Sequence, residues 1–129
     1  MAGEVICTVE ASADATRLAA VASDVADQLG LRLVVADAGG RDSTARSEAF
    51  LQGIAEAAGL HGAELRTDLA DVEAVLGVAA QEDAELIVVA RSGDAWHELV
   101  ALAHCPVLVI PEAVESQAQR EPQEILKNS

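Results

Sequence analysis

The sequence predicts an α/β domain, a doubly wound sheet of five parallel strands with helices on both faces. Three observations predict it: five short runs rich in Val, Ile and Leu, stretches of helical periodicity between them, and a near-continuous apolar run late in the chain. A run without in/out alternation is what a parallel strand covered on both faces requires. With 129 residues the chain has the usual length of one domain and one core. The domain is expected over residues 1–111, followed by an acidic, polar tail over 112–129 that is expected to be mobile.

Glu4 to Val9 (EVICTV) reads as the first strand, ending at Glu10-Ala11-Ser12, where Ser12 can cap a helix. In that helix Leu18, Val21, Val25 and Leu29 recur at three- and four-residue steps, and Gly30 stops it. Leu31 to Ala36 is the second strand, and Gly39-Gly40 after Asp37 marks a loop. A second helix starts at Ser43, buries Phe50, Leu51, Ile54 and Ala58, and closes at Gly59. Ala63 to Thr67 is a short strand whose Glu64 and Arg66 suit a sheet edge. Asp68 is expected to cap the third helix, with Leu69, Val72, Val75, Leu76 and Ala79 facing the core. Glu85 to Ala90 is the fourth strand. A short helix from Asp94 to Ala103 then leads to the fifth, bounded by Pro106 and Pro111.

The formal charge is −14, from 22 acidic and eight basic residues, which opposes binding to nucleic acid or an anionic membrane. No export signal or spanning segment is read from the residues, so a cytoplasmic location is expected, with Cys7 and Cys105 as two buried thiols. His61, His97 and His104 are scattered without metal-ligand spacing, and no nucleophile can be paired with a base, so neither metal nor catalysis is expected. The only Lys is Lys127 in the tail, which disfavours a phosphoacceptor domain.

Three stretches resemble the universal stress protein family. Val9-Glu10-Ala11-Ser12 is similar to its strand-ending Val-Asp-Gly-Ser, Ala84 to Val89 to its Asp-Leu-Ile-Val strand, and His104 to Val109 to its Cys-Pro-Val-Leu-Val ending. The resemblance implies strand order 3-2-1-4-5, a ligand crevice above strands one and four, and a homodimer through the fifth strand. It also implies ATP or AMP as ligand in members that carry Gly-x2-Gly-x9-Gly-Ser/Thr after the fourth strand.

Here only Arg91 to Cys105 separate Ala90 from Pro106, too few residues for both that motif and a helix. Ala90 stands at the first glycine and Gly93 at the second, while Glu10 and Ala11 replace the Asp and Gly of the first strand's end. No cofactor is therefore expected. Glu10, Ser12, Asp37, Arg91, Ser92 and Gly93 remain as candidate ligand-binding residues at strand ends, although helix capping and solvated loop carboxylates account for the same positions. Val107, Leu108, Val109 and Ile110 form an apolar edge, read as the dimer interface unless the tail covers it. The expected function is a non-enzymatic regulatory or interaction module, with a protein partner besides itself. A small-ligand sensor using a modified crevice is the rival.

Overall fold

Strand and helix alternate along the chain as the hydrophobic periods demand. The computed structural model describes residues 3–10, 15–38, 43–69, 71–91 and 95–111. In order, the elements are β1 (Glu4–Val9), α1 (Ala15–Leu29), β2 (Arg32–Asp37), α2 (Thr44–Ala58), β3 (Glu64–Arg66), α3 (Val72–Gln81), β4 (Ala84–Ala90), α4 (Ala95–Leu102) and β5 (Val107–Ile110). They form one parallel sheet in the order β3-β2-β1-β4-β5.

Right-handed crossovers put α1 and α2 on one face of this sheet and α3 and α4 on the other. The side chains of β1 divide accordingly. Val5, Cys7 and Val9 join the core under α1 and α2 with Val35, Val88 and Leu51, whereas Ile6 joins Val34, Ile87, Val89, Val75 and Leu99 on the other side. All six residues of β1 are buried, as a strand covered on both faces must be.

The helices are set by their ends and their small residues. Ser43 caps α2, its Oγ accepting from the Arg46 N–H at 3.1 Å, and Gly59 ends that helix at φ 68°. The third cap differs from expectation. Asp71 holds the start of α3, its Oδ1 accepting from the Ala74 N–H at 2.8 Å, because Asp68 is gripped by both prongs of the Arg66 guanidinium at 2.9 and 2.8 Å. The buried face of α1 is also rotated from the expected stripe. Ala15, Leu18, Ala19, Ala22 and Ala26 face the sheet, while Val21 and Val25 lie at the flanks and Leu29 is exposed. Four of those five inward residues are alanines, so the helix axis comes close to β1 and β4 and larger neighbours are turned aside. The proposed cap Ser12, residues Asp94, Ser92 and Gly93, and the tail over 112–129 lie outside the described residues.

At the base of the sheet the register of β1 on β4 shifts between Glu4 and Val5, leaving Glu85 bulged between Ala84 and Leu86. Asp83 turns into this bulge at φ 56°, and Gly3 lies so close that a Cβ there would stand 2.6 Å from Glu85 Cγ and 2.9 Å from the Asp83 carbonyl oxygen. Backbone cannot yield as a flexible side chain does. Gly3→Ala is therefore expected to cost about 1–3 kcal/mol, read as a lower urea midpoint with an unchanged m-value.

Candidate functional site

Between β1 and β4 the order of the sheet reverses, since β1 leads through α1 to β2 on one side and β4 leads through α4 to β5 on the other. The two connections leave on opposite faces, which opens a crevice above the carboxyl ends of these strands. Glu10 lies half-buried just beyond β1, and Arg91 is exposed just beyond β4. Ser12, Ser92 and Gly93, assigned to the same crevice from the sequence, fall outside the described residues.

Asp37 ends β2 with only 2% of its surface exposed, and its Oδ2 accepts a 2.6 Å hydrogen bond from the buried Ser47 Oγ of α2. This carboxylate ties the end of β2 to the first turns of α2. Glu10 and Asp37 each make further polar interactions, so neither is a free acceptor waiting for a ligand.

Of the candidate segment Arg91-Ser92-Gly93 only Arg91 is described. Its N–H donates to the Ile110 carbonyl at 2.8 Å, continuing the ladder between β4 and β5, and the Ala38 N–H is likewise taken by the Val9 carbonyl at 2.9 Å. The Arg91 guanidinium carbon lies 6.0 Å from the centroid of the Trp96 ring, at the reach of a cation–π contact, and Trp96 in turn lies against His97. The crevice is thus bordered by a cation with an aromatic plate beside it.

The sequence reading passed over Arg17. From the first turn of α1 its Nη2 donates to the Pro111 carbonyl at 2.7 Å, spanning from that helix to the chain just past β5. Its Nε is buried with no hydrogen-bond partner among the described residues. Helical periodicity marks Arg17 only as a residue off the apolar stripe, and nothing local shows that it reaches the end of the last strand.

A second concavity of about 270 Å³ lies at the opposite end of β4 and β5, lined by Ala79, Ala80, Asp83, Ala84, His104 and Cys105. It brings a thiol and an imidazole to one cleft. Burial pushes the Cys105 thiol above its ordinary value, which disfavours the thiolate that nucleophilic chemistry would need. Cys7 is fully buried between the sheet and α1, and burial pushes its thiol up to about 12. Cys105 itself is half-buried rather than fully enclosed. His61, His97 and His104 are all exposed, and among the described residues no group of three His, Cys, Asp or Glu side chains could hold a metal ion.

Removing the Ser47 hydroxyl tests how the end of β2 is held. Ser47→Ala is expected to destabilise the protein by about 1.5–3 kcal/mol, the range for a hydrogen bond to a charged group, while Ser47→Thr keeps the donor and loses less. Chemical denaturation of the two variants measures the difference.

No family model matches the sequence, and no curated protein matches it. Solved structures do match it in fold. A universal stress protein from Archaeoglobus fulgidus superposes with a TM-score of 0.69 at 20% identity, over 85% of this chain and 94% of that one. A universal stress protein crystallised with cAMP gives 0.74 at 19% identity, over 87% and 98%. A family protein from Arabidopsis thaliana with AMP bound gives 0.57 at 16% identity, over 94% and 98%. The order β3-β2-β1-β4-β5, the five parallel strands and the placement of the four helices are therefore those of the universal stress protein fold.

Proposed function

We propose that this protein is a non-enzymatic regulatory module of the universal stress protein kind, working as a homodimer through β5, with a nucleotide site shortened beyond use. The observation that carries the reading is the connection between β4 and α4. Only Arg91 to Cys105 separate Ala90 from Pro106, and α4 (Ala95–Leu102) takes eight of those residues, where nucleotide-binding members spend a long glycine-bearing loop before a helix. A phosphate chain held by backbone needs several unpaired N–H groups at close approach, and one of the few here, that of Arg91, is committed to Ile110.

The four side chains of β5 are each half-exposed, as they are on an edge strand with apolar groups on both faces. Pairing with a second copy would satisfy that edge in a closed, two-fold way. A further protein partner fits the same reading. Both cysteines are free thiols, which suits a reducing compartment such as the cytoplasm, and among the described residues no helix is long and apolar enough to cross a membrane. The net charge of −14 weighs against nucleic acid and anionic membranes as partners. A thiol pushed up to about 12 at Cys7, and a raised one at Cys105, favour a non-catalytic role.

One observation favours the rival reading, a sensor of a small anionic or nucleotide ligand such as AMP or ATP. Among the described residues the buried Nε of Arg17 lacks an acceptor at the carboxyl end of the sheet, and two structural relatives were crystallised with cAMP and with AMP. In that reading Arg17 and Arg91 would take the anion, Glu10 a ribose hydroxyl, and Trp96 the edge of a planar ring.

Calorimetric titration with ATP, AMP and cAMP, followed in parallel by Trp96 fluorescence, separates the two. The module reading expects no saturable heat and no fluorescence change; saturable binding weakened by Arg17→Ala or Glu10→Ala replaces it with the sensor. For the dimer, Leu108→Asp is expected to weaken self-association at least about tenfold, seen by light scattering as a shift to monomer. A wild-type protein that is monomeric throughout removes the β5 interface from the proposal.

A further inference from the structure

The first residue of β1 is a glutamate with 1% of its surface exposed, in a position where a parallel core strand would ordinarily present an apolar side chain. One of its oxygens is satisfied, since Glu4 Oε1 accepts from Arg32 Nη2 of β2 at 2.6 Å. The other, Oε2, is buried without a hydrogen-bond partner among the described residues. The neighbouring acidic group is Glu82 at the end of α3, solvent-exposed and paired with Arg66 Nη1 at 3.5 Å, which as a carboxylate carries only acceptors and adds to the upward push on Glu4.

Two carboxylates facing each other cannot satisfy one another, and a buried acceptor left without a donor is costly. A single proton resolves both problems. We propose that Glu4 and Glu82 form a proton-binding site at the base of the sheet, one carboxyl donating to the other, and that this proton fastens the turn between α3 and β4 onto β1.

The surroundings fit that role. Burial pushes Glu4 above its ordinary value; the hydrogen bond from Arg32 opposes this, Glu82 reinforces it, and the net displacement is upward. The other charged groups at the base are largely spoken for. Arg32 also approaches Glu64 of β3 at 3.9 Å, and Arg66 of β3 divides itself among Asp68 at 2.8 Å, Glu82 at 3.5 Å and Glu64 at 3.6 Å. Asp83 and Glu85 are exposed on the bulge beside the pair. The element being fastened is irregular, joining a bulged register, a left-handed Asp83 and the tight approach of Gly3.

The direction of the effect follows from linkage. The folded protein holds the Glu4 proton more tightly than the unfolded chain, so the stability it contributes is complete below the ordinary carboxyl value and is lost as pH rises through the raised one. Asp68 works in the opposite sense, since the Arg66 hydrogen bond holds its carboxyl below the usual value. Comparison of variants with wild type at each pH cancels that and every other titration.

The test uses Glu4→Gln and Glu82→Gln, each of which installs a permanent N–H donor where the proton would sit, and their double variant. Melting temperatures are measured from about pH 4.5 to about pH 8.5, across the carboxyl and near-neutral range. Each single variant is expected to gain on wild type by several degrees as pH rises, the gap closing in acid, and the double variant to gain no more than either single one. Infrared spectroscopy across the same pH range should show in wild type a protonated-carboxyl stretch that persists above the ordinary carboxyl range and that both single variants lose. A melting difference that is constant with pH, additive gains in the double variant, or absence of the protonated-carboxyl band overturns the proposal.

Discussion

The pairing of β1 with β4 is the interaction on which the rest of the molecule depends. These two strands sit at the centre of the sheet, and burying both faces of each requires two helices on either side. The same pairing is where the order of the sheet reverses, so a single contact sets both the core and the position of the crevice. Its two ends have different chemistry. Above it stand Glu10, Arg91 and the reach of Arg17; below it the register slips at Glu85 and two carboxyls meet.

Packing along that pair explains the choice of residues. The alanines of α1 bring its axis close to the sheet, and β-branched residues in β1, β2 and β4 fill the space between. With Trp96 and Phe50 as the only aromatics, there is little bulk to hold layers apart, so the core depends on close contact among small side chains. A chain with so many acidic groups then uses its few arginines at defined places. Arg32 and Arg66 neutralise carboxylates at the base, whereas Arg17 and Arg91 border the crevice.

The places of Glu10, Asp37 and Arg91 at strand ends were legible in the residues, and the limits of that reading are instructive. Strand ends mark Glu10, Asp37 and Arg91 because a strand followed by polar residues must stop at the sheet's edge. What those residues do there was not legible. Asp37 turned out to be a buried acceptor for Ser47, and the Arg91 N–H extends a ladder, since both outcomes depend on how far α2 and β5 lie from those positions. Asp68 was passed over as a cap for a similar reason: a guanidinium two residues away competes for the same oxygens and wins with two bonds.

The sequence by itself determined the class of the fold, the order of its elements, the Ser43 and Gly59 ends of α2 and the burial of the central strands. All of these rest on periodicity and local backbone preference, which act over a few residues. Only the tertiary structure decided which face of α1 is inward, which carboxylates are enclosed and what they meet. Glu4 and Glu82 are far apart in the chain, and their approach depends on the crossover of α3, the register of β1 on β4 and the bulge at Glu85 together. No local pattern encodes that product of three separate placements.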